Sequence, residues 1–330
     1  MIISRTPFRI SFAGGGSDLP TFYEKHGGCV LSTGIDKYMY ISIHPSFDLH
    51  EIALKYSQTE IVKSLDDIKH PYFSALLKKF DLNGVEITST ADVPAGTGLG
   101  SSSSFTVGVL QVLYAYAGKY VSKERLAEEA CELEINDLAK PIGKQDQYAA
   151  AFGGLNFYSF NRDGSVYVDP VIMEHERNKE LQNNLIMLYV GGVHSASEIL
   201  KEQGKNVTSG DRKSNQIQMC ELANELREEL TNGNIDAMGE ILDKGWQLKR
   251  SLSSGITNPE SDSYYNKAMN NGAIGGKLLG AGGCGFLLFY VKKKDRQRLK
   301  EAMDLPELPI SFDGQGSTII YIGNKTRLCR

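Results

Sequence analysis

The segment Asp92-Val-Pro-Ala-Gly-Thr-Gly-Leu-Gly-Ser-Ser-Ser-Ser104 places three glycines within five residues and follows them with four serines. Glycines at 96, 98 and 100 let successive backbone N–H groups turn toward one point, which makes a nest for an anion. An apolar run follows, with Val107, Leu110, Leu113 and Ala117 at helical spacing and Gly118 as a stop. A helix starting there aims its unpaired N–H groups and the positive end of its dipole at the same point. The hydroxyls of Ser101, Ser102, Ser103 and Ser104 can bond a phosphate or ligate Mg2+. A helix cap needs one hydroxyl, not four. Pro94, Gly96, Gly98, Gly100 and the four serines are therefore the candidate nucleotide-phosphate residues. Two familiar phosphate motifs are excluded. No lysine follows Gly100, as a Walker A loop requires, and Ser103 stands where a dinucleotide fingerprint needs its last glycine. Gly14-Gly15-Gly16 fails the same fingerprint at Leu19.

Two carboxylates stand on apolar stripes. A helix predicted from Ser122 to about Leu138 carries the line Ala127, Cys131, Glu134, Leu138, so Glu134 faces the core side while Glu124, Glu128 and Glu132 face water. A buried, unpaired carboxylate is costly, and a metal ion would resolve the cost. Mg2+ prefers one or two carboxylates together with phosphate oxygens. A stripe-edge glutamate, or one paired with a lysine, remains an open alternative. Asp146 sits in Gly143-Lys-Gln-Asp-Gln-Tyr-Ala-Ala-Ala151, over Ala149 and Ala150 and near Lys144. Phosphoryl-transfer enzymes place an aspartate to accept the acceptor hydroxyl's proton. An aspartate serving a helix start is the plainer reading. Farther on, Gly275–Gly285 is glycine-rich between apparent strands, which allows close approach to a ligand or to the phosphate loop.

These residues need elements to hold them. Ile2–Phe12, Tyr38–His44 and Val85–Thr90 alternate as strands, and Ile52–Tyr56 does so more weakly. Lys144–Ala151 reads as a short helix. Leu155–Phe160 and Ser165–Val168 read as a hairpin. Beyond them the pattern predicts a strand at Leu185–Val190 and helices at Ser195–Glu202, Arg212–Leu230, Ile235–Leu252 and Ser261–Asn271. A strand Phe286–Val291, a helix Asp295–Met303 and strands near Leu308–Phe312 and Ser317–Ile322 complete the chain. Strands and helices mix without strict alternation, so the fold class is α+β, with a first domain over 1–182 and a second over 183–330.

The chain has 330 residues, 41% hydrophobic and 23% charged, with a net charge of -4. That is ample for a core without disulfides or structural metal. No basic excess or stripe points to nucleic acid. Cys29, Cys131, Cys220, Cys284 and Cys329 form no CxxC pair, and Cys131 and Cys284 read as small buried hydrophobes. The start MIISRTPFRISFAGGG lacks a leader pattern and no stretch approaches a membrane span, so the expected location is cytoplasmic.

Together the motifs resemble those of the GHMP kinases, over nearly the whole chain. The three family motifs occur in order as Thr6–Asp18, Pro94–Ser104 and Lys277–Gly285. Within the family, AGGGSDLP at 13–20, GKQDQYAAAFGG at 143–154 and HSASEILKEQ at 194–203 are similar to the heptose 7-phosphate kinases. The resemblance implies an ATP- and Mg2+-dependent sugar kinase acting on an anomeric hydroxyl. Its fold would be an N-terminal domain like domain 2 of ribosomal protein S5 and a ferredoxin-like C-terminal domain. It implies Asp146 as catalytic aspartate, with Arg9 and Lys144 in support. Glu134 would be the Mg2+ carboxylate, with Ser101 or Ser102 as the ligating serine. Gly16, Ser17, Asp18, Gly282, Gly283 and Arg250 would meet the sugar. A heptose 7-phosphate needs a distant cation as well, for which Arg250, Lys249, Lys144 and Lys37 are candidates. Cys284 departs from the third motif's usual glycine. Gly15-Gly16 replaces the galactokinase Glu-His pair, which weakens a galactose assignment and leaves room for a bulkier substrate. The expected partner is a small sugar phosphate, without nucleic acid or membrane; homodimerisation stays open. Rival readings are a fucose- or galactose-type kinase and a sugar-binding regulator without catalysis.

Overall fold

The alternating N-terminal residues form a strand, Ile2–Ala13 (β1), that anchors the larger of two sheets. The computed structural model describes residues 1–192, 196–206, 210–253 and 255–323. After β1 come α1 (Pro20–His26), β2 (Gly28–Pro45), β3 (Ile52–Lys55), β4 (Thr59–Val62), α2 (Pro71–Phe80) and β5 (Val85–Ala91). Then follow α3 (Ser101–Tyr116), α4 (Lys123–Cys131), α5 (Gln145–Phe152), β6 (Leu155–Phe160), β7 (Val166–Pro170) and α6 (His175–Asn184). The remainder runs β8 (Leu185–Gly191), α7 (Ala196–Asn206), α8 (Gly210–Thr231), α9 (Ala237–Arg250) and α10 (Pro259–Asn270). It closes with β9 (Ala273–Leu278), β10 (Gly285–Val291), α11 (Lys293–Met303), β11 (Phe312–Asp313) and β12 (Thr318–Ile322).

β2 is the spine of the first sheet. One edge pairs antiparallel with β1. The other pairs with β5 from Met39 to Pro45 and with β6 from Gly28 to Thr33. Only β3 against β5 is parallel among the described pairs of this sheet. From the far end of the chain, β12 joins β1 and β11 joins β2. The second sheet has the order β8-β10-β9.

Helix α3 lies on β1 and β2 and is buried along most of its length. Gly108 permits that closeness, since a Cβ there would stand 3.0 Å from the Thr6 hydroxyl. Ser4 Oγ donates to the Gly108 carbonyl at 2.9 Å, and Ser104 Oγ donates to that of Pro7 at 2.8 Å. Val107, Val109, Leu110, Val112 and Leu113 are fully buried, each worth about 1.5–3 kcal/mol over exposure.

The structure departs from expectation in several places. The helix from Ser122 changes type: α4 ends at Cys131 and Glu132–Asp137 form a wider π turn, with the Leu138 N–H bonded to the Leu133 carbonyl. Ser122 caps it as expected, accepting from the Arg125 N–H at 3.2 Å. Three short helices, α1, α2 and α6, escape the periodicity, and α6 runs across residue 182. The strand expected at Leu308–Phe312 reduces to a bridge between Leu188 and Glu307 and the two residues of β11. Ser195 at the expected helix start, His194 of the 194–203 motif and Cys329 lie outside the described residues. Among the described residues no helix is long and apolar enough to cross a membrane.

Candidate active site

The expected phosphate loop is built from left-handed glycines. Gly100, at φ 75 and ψ 28, is the residue that starts α3, and Ser101 is its first helical residue. Gly98, at φ 86, is glycine for a second reason: a Cβ would stand 2.8 Å from the Leu279 carbonyl oxygen. Reciprocally, a Cβ on Gly280 would stand 2.5 Å from Gly98 Cα. The glycine-rich loop after β9 thus packs backbone to backbone on the phosphate loop. Beside them opens a cavity of about 880 Å³. Part of its wall is aromatic, with Tyr72 and Phe105 edge-on at 6.1 Å and His70 against both. Another part is charged, formed by Arg9, Asp18, Asp146, Lys249 and Lys277.

Arg9, on β1, ties the site together. Its Nε and Nη2 donate to the two oxygens of Asp146 at 2.7 and 2.8 Å. Nη1 donates to the Gly98 carbonyl at 2.6 Å, and the backbone N–H to that of Leu99 at 3.1 Å. Such planar bidentate pairing fixes the carboxylate's orientation. Asp146 is in the first turn of α5, so strand, loop and helix meet at one guanidinium.

Asp18 is buried under the loop after β1. Its oxygens accept from the N–H groups of Gly16 and Gln145 at 3.0 and 3.1 Å, and from Gln145 Nε2 at 3.4 Å. Gly143 must be glycine, because a Cβ would fall 1.9 Å from Asp18 Oδ2. Burial, and then the charge of Asp146, push the Asp18 carboxyl up to about 6 against those N–H bonds.

Glu134, on the π turn, is fully buried. It accepts from Ser103 Oγ and Thr106 Oγ1, both at 2.8 Å, and from Gln147 Nε2. Burial dominates even so and raises its pKa to about 7. Two buried lysines complete the site. Lys249 donates to the Gly280 carbonyl, and burial, with Arg9 next, lowers it to about 8. Lys277 donates to the carbonyls of Ser11 and Phe12 at 2.9 and 3.1 Å; burial, then Lys249 and Arg9, push it well below the usual lysine range.

A glycine-serine loop at a helix start, tied through Arg9 to a carboxylate beside a cavity, suits a kinase, and the comparisons agree. Residues 66–154 match the GHMP kinases N terminal domain, and residues 226–305 match the GHMP kinases C terminal domain. A D-glycero-alpha-D-manno-heptose 7-phosphate kinase of Campylobacter jejuni is 30% identical over 316 residues, covering 92% of this chain and 93% of its own. The chain belongs to the GHMP kinases. It is accordingly an enzyme, a phosphotransferase with an alcohol group as acceptor. The structure of a putative sugar kinase from Campylobacter jejuni superposes with TM-score 0.77 at 27% identity, covering 97% of this chain and 98% of that one. A D-glycero-D-manno-heptose 1-phosphate kinase from Bacteroides thetaiotaomicron shares the fold, with TM-score 0.81 at 24% identity over 98% and 100% of the two chains.

Within this GHMP kinase, Arg9, Gly16, Asp18, Pro94, Gly96, Gly98, Gly100, Ser101, Ser102, Ser103, Asp146 and Gly282 all line the one cavity. Other expected site residues are placed elsewhere. Ser104 serves the Pro7 carbonyl. Ser17 is buried, donating to the Cys29 carbonyl at 2.9 Å and accepting from its N–H at 3.0 Å. Lys144 donates to the Gly164 carbonyl and lies 4.9 Å over the Tyr23 ring, so Arg9 and not Lys144 partners Asp146. Gly283 gives its N–H to Ile256. Arg250 pairs with Asp262 at 2.9 Å and Lys37 with Asp36 at 3.0 Å, which leaves Lys249 alone of the four proposed cations on the cavity wall. The serine beside Glu134 is Ser103; Ser101 and Ser102 stand on the wall. Cys284, read as buried, is half-exposed at the cavity. Sequence reasoning passed over Ser11, Gln145 and Lys277. All three lie inside the quoted motifs, so their place was signalled and their role was not.

Proposed function

We propose that this chain is a sugar kinase that uses Mg·ATP to phosphorylate the anomeric (C1) hydroxyl of a heptose 7-phosphate. The product would be the 1,7-bisphosphate, an intermediate toward nucleotide-activated heptose for surface polysaccharide. The similarity to a kinase of that substrate supports the choice of sugar. The observation that carries the chemistry is Asp146, oriented by Arg9 directly beside the phosphate loop.

In this reading the acceptor oxygen attacks the γ-phosphorus of ATP, its proton passes to Asp146, and ADP leaves. A positioned base contributes about 10²–10⁴-fold. Loop N–H groups and the N-terminus of α3 hold the phosphates, and the aromatic wall suits the base. Gly96, Gly98 and Gly100 all take left-handed backbone angles, the kind of turn that lets successive N–H groups face a bound phosphate chain. Among the described residues no cluster of three or more His, Cys, Asp or Glu could hold a metal alone. Mg2+ would therefore draw on phosphate oxygens, as it prefers, with Glu134 and the serines Ser101, Ser102 or Ser103 as the residues suited to it. Bound there, it would neutralise phosphate charge. Lys249, lowered only to about 8, gives the wall a cation suited to an acceptor that carries its own phosphate. ATP use and unpaired cysteines fit a cytoplasmic setting.

ADP release measured with a panel of sugars and sugar phosphates tests the proposal. Heptose 7-phosphate should exceed unphosphorylated heptose, fucose and galactose in kcat/KM. Fucose or galactose as the best substrate would replace the assignment. Silence with every sugar would leave a binding protein.

A further inference from the structure

Two buried polar atoms on the cavity wall have no hydrogen-bond partner among the described residues: Ser11 Oγ and Gln145 Oε1. Leaving such atoms unmet costs about 1–3 kcal/mol each, so each calls for an explanation. The two lie together. The position a Cβ would take on Gly15 is 3.5 Å from Ser11 Oγ and 3.9 Å from Gln145 Nε2. Gly15 is not in the left-handed region, so the backbone does not demand glycine there. What the missing side chain provides is a gap bordered by the Ser11 hydroxyl and the Gln145 amide.

The surroundings hold this pair still. Asp18 accepts from the Gln145 amide nitrogen, which fixes the amide and turns Oε1 away from the carboxylate. The Ser11 carbonyl is held by Lys277 Nζ at 2.9 Å. Ser11 itself is only 7% exposed. Resting on the sugar-kinase reading above, we propose that Gln145 Oε1 and Ser11 Oγ read acceptor hydroxyls through the opening at Gly15, selecting a polyhydroxylated acceptor with a hydroxyl next to the attacking one. Gln145 accepts from that neighbouring hydroxyl, since its backbone adjoins Asp146. Ser11 donates to or accepts from a second. Asp18 is then a positioning residue for the Gln145 amide.

The test uses the best sugar found by the panel and its monodeoxy analogues, with kcat/KM for sugar and KM for ATP as readouts. With the wild-type enzyme, the analogue lacking the hydroxyl next to the reacting one should lose about 10- to 100-fold in kcat/KM. Gln145→Met should lose a similar factor with the parent sugar and little more with that analogue. Ser11→Ala should behave likewise toward a different analogue. Gly15→Ala, which the backbone tolerates, should raise sugar KM at least tenfold while KM for ATP stays within about twofold. The proposal is overturned if Gln145→Met and Ser11→Ala discriminate against every analogue as the wild type does, or if Gly15→Ala leaves sugar KM unchanged. Wild-type turnover of a sugar in that case keeps the kinase reading intact. A wild type inactive on all sugars removes both.

Discussion

Asp146→Asn separates chemistry from architecture, because it keeps the shape of the side chain and removes its charge. In the wild type, Arg9 gives Asp146 two charge-assisted bonds of 2.7 and 2.8 Å. Asparagine keeps one acceptor oxygen and turns an NH2 group toward a guanidinium donor. Removing one partner of a fully buried ion pair costs about 3–5 kcal/mol. Here the Asp146 side chain is 25% exposed, and Arg9 keeps its bond to the Gly98 carbonyl at 2.6 Å. The structural loss should therefore be smaller, about 1–3 kcal/mol, or a few degrees in Tm. The chemical loss should be larger. Without a base, kcat should fall about 10²–10⁴-fold. A protein stable by several kcal/mol stays folded after the smaller loss, so an unfolded fraction cannot mimic the larger one. ADP release at saturating ATP and sugar gives kcat, calorimetric titration gives nucleotide affinity, and a thermal scan gives Tm. Nucleotide affinity should stay within a few-fold. A kcat within tenfold of the wild type, with the protein folded, would refute the base assignment and leave positioning by the loop to carry the reaction.

Three further outcomes are expected. Glu134→Gln should raise the Mg2+ concentration for half-maximal rate and lower kcat with Tm nearly unchanged; an unaltered Mg2+ titration would return Glu134 to a purely structural part. Gly98→Ala should cost about 1–3 kcal/mol through its φ of 86 and its contact with Leu279, and should weaken ATP binding more than sugar binding; calorimetry on both ligands checks it. For pH, the folded protein keeps the Asp18 proton up to about 6, while the unfolded chain loses it near 3.8. The unfolded state therefore binds fewer protons in that window, so stability should fall as pH rises from about 4 to 6, by on the order of 3 kcal/mol from this group. Asp18→Asn should flatten that part of the profile, and an unchanged slope in urea titrations would show that burial does not perturb this carboxyl.

The parts of the site that were legible are those in which composition is forced by geometry. Glycines 96, 98 and 100 announce a tight loop because its left-handed backbone angles strongly favour glycine. Glu134 announces itself by standing on an apolar stripe. Pairings across the chain carry no such local mark. Arg9 and Asp146 are 137 positions apart, and only the packing of β1 against α5 brings them together, so the sequence could name Arg9 and Lys144 near Asp146 but not which of them pairs with it. Lys277 stands in a glycine run with no local mark of its partners until β9 places it over the β1 carbonyls. Ser103 and Ser102 are equivalent in sequence, and the helical phase of α3 decides which one meets Glu134. The π turn over Glu132–Asp137 likewise has no mark in the apolar stripe that predicts the helix.

Why the two halves form one site follows from where backbone meets backbone. A Cβ on Gly98, Gly280 or Gly285 would each fall within 3.0 Å of the facing loop's main chain, so the phosphate loop and the glycine-rich loop approach at a distance that only glycine allows. Lys277 crosses the same seam from β9 to β1, and β12 brings the C-terminal residues back to pair with β1. Separating the sheets would break these contacts together and take from the Ser11 and Phe12 carbonyls the donor that Lys277 gives them. A stiff seam of this kind holds Asp146, the phosphate loop and the opening at Gly15 in fixed relation before any ligand arrives. Rate enhancement by orientation needs that kind of preformed geometry. The flexibility that substrate entry requires must then come from side chains and loops around the cavity rather than from movement of one sheet against the other.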